Sequence, residues 1–263
     1  MSSTVPVCEG FAMPTVPSRR TRRATLGVAL AAALATLVPA APAVAEAEHR
    51  GSFDVVFRGI VAGRATFHAN ENTRSYALAG RLQSTGLLRV IADIRYDAQV
   101  QGTRAGDRFA PRQYREEARI SQRTQEAEMV WRRGIPVVEL VAPPKDPEPT
   151  DLDPATQRGT VDPLTALWAV LRDVPPGEAC DVSNDVFDGR RRSRLRLHSP
   201  AKNGDAVVCT GEYRRVAGFA DWEMKERVSF PFSVRMEPNG DGLLRVSEVT
   251  VDSTYGPVRL VRR

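Results

Sequence analysis

Residues 180–218 read CDVSNDVFDGRRRSRLRLHSPAKNGDAVVCTGEYRRVAG. Asp188-Gly189 is the pair favoured in a two-residue type I′ hairpin, where both central residues need positive φ. With those two as the loop, Phe187 faces Arg190 and the register follows from there. One face then carries Val182, Val186, Leu195 and Leu197, with Cys180 at its end. The other carries Asp181, Asp185, Arg190, Arg192, Arg194 and Arg196. Asp185 falls opposite Arg192 and Asp181 opposite Arg196, cross-strand pairs that contribute about 0.2–1 kcal/mol each. The basic stripe Arg190, Arg192, Arg194 and Arg196 has two readings, an anion or nucleic-acid patch or the solvated outer face of a strand, and the alternation with two facing aspartates favours the second.

Period-two alternation extends in both directions from this hairpin. Upstream, strands are expected from Phe53 through Ala69, then at 75–83, 94–101, 111–120, 127–133 and 137–141, with a short helix at 86–91. Downstream, strands are expected at 207–216, 223–228, 230–237, 243–252 and 257–261. A Pro- and Asp-rich stretch, about 142–161, separates the two series and reads as a long loop within one domain. One amphipathic helix follows it. Asp162-Pro163 is an N-cap followed by proline at the first helical position. Leu164, Leu167, Trp168 and Leu171 then recur at helical spacing, and Pro175-Pro176-Gly177 stops the run, so the helix covers about 162–173. The fold class is all-β: about 12–14 mostly antiparallel strands in a curved barrel-like or spiral sheet, with this helix buried against it.

The chain opens with Arg19, Arg20, Arg22 and Arg23, a small apolar run from Ala24 to about Val38, and Ala43-Val44-Ala45. That order is a secretory signal peptide, cleaved between Ala45 and Glu46. It implies export to the periplasm and a mature domain at 46–263. No later stretch is long and apolar enough for a transmembrane anchor. Removing residues 1–45 takes away four arginines and one glutamate and lowers the formal charge from +5 to about +2. Nucleic acid is not expected as a partner on that balance.

Export also decides the cysteines. Cys8 leaves with the signal peptide, so Cys180 and Cys209 pair in an oxidising compartment. If Cys180 and Cys209 lie two strands apart, a strand spacing of about 4.8 Å puts their Cα atoms about 9–10 Å apart, too far for the bond. Cys180 is therefore expected to fold over its neighbouring strand.

Catalytic signals are sparse. His49 lies in an N-terminus expected to fray, and His68 and His198 sit at strand ends. HExxH, GxSxG, CxxC and P-loop spacings are absent from the sequence. Glu116-Glu117 are adjacent on a strand and point to opposite faces. Asp151 and Asp153 are two solvated loop carboxylates, far short of a calcium cage. Trp131, Trp168 and Trp222 are expected as scattered core residues. No catalytic, cofactor or metal residue is assigned.

Gly59-Ile60-Val61-Ala62-Gly63, Asp162-Pro163-Leu164, Val186-Phe187-Asp188-Gly189-Arg190 and the run from Cys209 to Gly218 resemble the domain of unknown function family numbered 3108. The resemblance covers nearly the whole mature chain. It implies an exported, largely β protein of Gram-negative bacteria without an established reaction. More loosely, the chain is similar to periplasmic cell-envelope integrity proteins that fold as a β-spiral with a disulfide. The expected function is non-catalytic envelope maintenance, through a lipid or other amphipathic ligand or an envelope protein. An envelope hydrolase or other carbohydrate- or lipid-active enzyme, and an adaptor pairing an edge strand with another envelope protein, are the alternatives.

Overall fold

Thirteen strands and three short helices make up the part of the chain that the computed structural model describes, residues 46–263 apart from Ala92. The signal peptide and Ala45 lie outside the described residues. The first series of strands is β1 (Ala47–Phe57), β2 (Ile60–Glu71), β3 (Ser75–Ser84), β4 (Ile94–Ala105), β5 (Arg108–Ile120), β6 (Arg123–Arg132) and β7 (Ile135–Ala142). The second is β8 (Val182–Phe187), β9 (Arg192–Asn203), β10 (Ala206–Ala217), β11 (Ser229–Pro238), β12 (Leu244–Ser253) and β13 (Gly256–Arg262). The helices are α1 (Gly86–Ile91), α2 (Pro163–Leu171) and α3 (Asp221–Glu226).

Each series is an antiparallel meander. The first and last strands join them: β1 pairs with β13 from Phe53↔Arg262 to Phe57↔Val258, so all thirteen form one sheet, with β7 and β8 as its edges. A twisted sheet of this width curls, because open sheets rarely exceed about ten strands without doing so. The space inside the curl is filled by α2. Asp162 Oδ1 accepts from the Thr165 N–H at 2.8 Å and starts the helix. Trp168 and Ala169 join the core formed with Tyr76, Val100, Tyr114, Met129 and Phe187, while Val170 and Leu171 join the core around Phe53, Cys209, Val234 and Val246. Gly80 permits the close approach, since a Cβ there would sit 2.9 Å from Leu164 Cδ1. Leu167, expected on the buried stripe, is exposed. Buried residues occur on most sides of α2, so its contacts are not confined to one stripe.

The Pro-rich segment crosses the opening between β7 and β8. Gly159 N–H donates to Gly134 O beside β7, and Leu152 N–H donates to Arg190 O in the β8–β9 turn. Val161 exchanges hydrogen bonds with Asp185 and Phe187 on the β8 edge.

The hairpin that organises the second series differs from expectation. Only Gly189 of the Asp188-Gly189 pair has positive φ, at 102°. Asp188 instead folds its carboxylate over the turn, accepting from the N–H groups of Arg190 (3.0 Å) and Arg191 (2.7 Å). The loop is therefore four residues, Phe187 pairs with Arg192, and Asp185 pairs with Arg194. A shift of two leaves the parity unchanged, so the expected inward and outward faces survive. Asp185 binds both Arg192 (2.5 Å) and Arg194 (2.6 Å). Arg190 leaves the strand for Asp151 (2.7 Å), and Arg196 stands opposite Ser183 rather than Asp181.

Cys180 and Cys209 are bonded, with Cα atoms 5.3 Å apart. Two local departures bring them together. Cys180 precedes β8 in a left-handed conformation, φ 67°. Cys209 sits in a bulge, because Val208 pairs with Ala201 and Thr210 with His198. Another expectation fails nearby: residues 221–226 are helical, not extended. The Glu223 carboxylate reaches back to the Ala220 N–H at 2.9 Å and closes the first turn. Trp222 is carried outward by that helix and is not core.

Because the strands run up and down, their connectors alternate between two rims. The helical rim holds the β1–β2, β3–β4, β5–β6, β8–β9, β10–β11 and β12–β13 connectors, α1 and α3 included. The turn rim holds the β2–β3, β4–β5, β6–β7, β9–β10 and β11–β12 connectors, which are tight turns.

Candidate functional site

A pocket lined by aromatic and charged side chains lies at the turn rim, where β1 meets β13 and the end of α2. Its floor is Phe67, Trp168 and Leu171, and its walls are Glu48, His49, Arg50, Asp173, Arg245 and Arg262 around a cavity of about 80 Å³. Pairing of β1 with β2 from Ala47↔Glu71 onward brings His49 here, so the expected frayed segment is a strand. The His49 ring lies 5.5 Å from that of Trp168. Its Nε2 is buried without a hydrogen-bond partner, 3.6 Å from Glu71 Oε1. Glu71 is held instead by Arg104 at 2.9 Å and accepts from Trp168 Nε1 at 3.3 Å.

The cations of this pocket differ in what they hold. Arg245 grips Asp173 with Nη2 (2.6 Å) and Nε (3.0 Å), and Asn239 donates to the same carboxylate at 3.0 Å. That hydrogen bonding raises the Arg245 pKa. Arg50 and His68 share Glu48, and their hydrogen bonds lower its pKa. Arg262 has no carboxylate within ion-pair distance among the described residues. Its Nε donates to Val246 O at 2.6 Å, and its Cζ lies 4.7 Å from the Phe53 ring centroid and 5.8 Å from that of Phe67. Burial pulls its pKa below the usual arginine range, only partly offset by Asp173 nearby. A half-buried guanidinium against two aromatic rings, with unused N–H groups, favours a planar anion.

The adjoining slot between Phe67, Leu78, Leu164 and Leu167 has about 20 Å³, room for about one water-sized group. Ligand pockets for drug-sized molecules run to about 300–1,000 Å³, so neither the pocket nor this slot has room for a long acyl chain.

Other titratable groups are engaged locally. His68 lies within β2 and binds Glu48 on the outer surface, and His198, within β9, contacts Ser199 Oγ at 2.8 Å. They do not meet. Glu116 faces inward and accepts from Tyr114 at 2.5 Å and from Tyr96, while Glu117 faces out. Burial raises both tyrosines well above their ordinary value, so they stay neutral donors. Asp153 caps a 3-10 turn through Ala155 N–H at 2.9 Å. Trp131 is core and donates to Thr160 O at 2.9 Å. Asp162 is fully buried, and burial pushes its carboxyl up to about 6 against the hydrogen bonds from Thr165. The sheet edges are guarded: β7 has Pro136, a bulge and Glu139, and Val161 occupies part of β8.

Comparison with known proteins places the chain. The model of the family "Protein of unknown function (DUF3108)" matches residues 52–214, more than half of the sequence. The chain belongs to this family. The DUF3108 match runs from β1 into β10 and takes in α2 and both cysteines. Among solved structures the chain is similar to a crystal structure of a beta-barrel-like protein of domain of unknown function DUF1849 from Brucella abortus. The identity is 14% and the TM-score 0.47, over 82% of this chain and 95% of that one. No curated protein matches.

Proposed function

We propose that this DUF3108 member is an exported, non-catalytic envelope protein that works by holding the anionic end of an amphipathic ligand in the pocket over Arg262. Export is supported by the signal-like residues 1–45 and by the disulfide, since such bonds persist in oxidising compartments. The observation that carries binding is Arg262, a half-buried cation beside two aromatic rings and with no carboxylate partner among the described residues. Periplasmic placement and envelope maintenance follow from this reading as proposals.

The test is thermal stabilisation by butyrate and by butyl phosphate, small enough for a pocket of about 80 Å³. Saturable stabilisation that disappears in Arg262→Gln is expected. Equal, non-saturating shifts in both proteins would end the reading. Fractionation and N-terminal sequencing test export separately: a mature chain starting at Glu46 in the periplasm is expected, and an unprocessed cytoplasmic chain would contradict it.

A further inference from the structure

Ten large hydrophobic residues are exposed among the described residues, and their placement is uneven. Ile60, Val61, Val90, Ile120, Trp222 and Tyr255 all lie on, or next to, connectors of the helical rim. Val90, Tyr255 and Trp222 are 85%, 79% and 67% exposed. None of the ten sits on a turn-rim connector, where the tips are instead Asn72, Asp107, Arg133, Asn203, Gly204 and Asn239.

The five helical-rim connectors that carry these tips are neighbours around the sheet, from the β5–β6 turn through β1 and β13 to α3. At about 4.8 Å per strand they span an arc of about 40 Å. Arg58, Arg123 and Lys225 stand among the apolar tips without an ion-pair partner among the described residues. Arg89 is 69% exposed and lies 3.7 Å from Asp93. Asp252 is covered by Arg227 at 2.7 Å, leaving Asp221 and Glu226 of α3 as the main opposing charges.

We infer that the helical rim docks on the surface of an anionic lipid bilayer, with these tips at headgroup depth. Isolated aliphatic and aromatic tips on separate turns, interleaved with arginine and lysine, match what a bilayer interface accepts. Trp and Tyr settle at headgroup level, and long basic side chains keep their charge in water while their stems lie against apolar surface. Unpaired cations complement anionic lipid within a Debye length. Docking at this rim leaves the Arg262 pocket, on the opposite rim, open to solvent. The inference does not depend on the pocket's ligand.

The test is cosedimentation of the processed protein, purified after expression of the full chain, with phosphatidylethanolamine–phosphatidylglycerol vesicles and with phosphatidylcholine vesicles. Wild type is expected to partition to the anionic vesicles and to be released by salt. The combined variant Ile60→Ser, Val90→Ser, Trp222→Ser, Tyr255→Ser is expected to bind at least about tenfold less while keeping its circular-dichroism melt. Arg58→Gln with Lys225→Gln is expected to weaken binding to anionic vesicles alone. Wild type remaining in the supernatant overturns the inference, and so does undiminished binding by the four-site variant. It is equally overturned if the vesicles are ignored and the wild type forms a concentration-dependent dimer that the variant cannot form, because the rim is then a contact between copies.

Discussion

On the turn rim, Asn72 folds its side-chain oxygen over the N–H groups of Arg74 and Ser75, and Asn239 does the same for Asp241 and Leu243. Asp173 gathers Asn239 and Arg245 there, Arg172 reaches Asp107 at 2.5 Å, and the Cys180–Cys209 bond staples the ends of β8 and β10. On the helical rim, Ile60, Val90, Trp222 and Tyr255 project from turns that the fold closes without them. One set of connectors holds the sheet together. The other, apart from the β8–β9 turn that Asp188 caps, presents exposed apolar side chains. The difference teaches where to look for function in a β-protein without a catalytic constellation: in exposed residues that the fold does not use.

The largest expected effect breaks the turn rim. Cys180→Ser with Cys209→Ser releases a link between residues 29 apart, worth about 3–4 kcal/mol in the chain-entropy model. Tm should fall by roughly 10 °C at this size. A loss below about 1 kcal/mol would mean that the staple does little for this rim.

Between the rims, Asp162 sets a pH dependence. Its folded pKa is raised to about 6, so its contribution is fully present below its ordinary value and is lost as pH rises through about 6. Asp162→Asn keeps a cap and removes the ionisation. Relative to this variant, wild type should lose about 2–3 kcal/mol of stability between pH 4 and pH 7. Parallel stability curves for the two proteins would show that the buried carboxyl does not titrate in that window.

Asp173→Ala should cost less, about 1–2 kcal/mol, because the Arg245 end of the pair is partly in water. Urea melts measure it, and an unchanged midpoint would remove the clamp from the comparison. Smallest of all, each helical-rim serine substitution should change stability by under about 0.5 kcal/mol. A loss of several kcal/mol from Trp222→Ser or Tyr255→Ser would erase the contrast between the rims.

Much of the scaffold was legible. Alternation located most of the strands, Asp162-Pro163 started the helix, and the signal-like leader with two remaining cysteines pointed to the disulfide. The hairpin register was misread because Asp188 uses its carboxylate to build a wider loop, a choice its sequence neighbours do not reveal. Residues 223–228 alternate well enough for a strand, yet Glu223 closes a helical turn on Ala220. The pocket was illegible for a topological reason. His49, Trp168, Asp173, Arg245 and Arg262 meet only because β1 pairs with β13 and α2 lies inside. The rims were half legible. Ile60, Trp222 and Tyr255 on one set of connectors, and Asn72, Asp107 and Asn239 on the other, are visible in the sequence. Sorting them needs the strand count, because each added strand flips the rim to which the next turn belongs.

Trp222 gives the most direct test, since Trp131 and Trp168 are buried and Trp222 is 67% exposed. Vesicles carrying lipids brominated near the headgroup should quench the protein's tryptophan emission, and Trp222→Phe should abolish that quenching. Absence of quenching in the wild type, or quenching that persists without Trp222, would contradict the assignment of the helical rim as the membrane-facing surface.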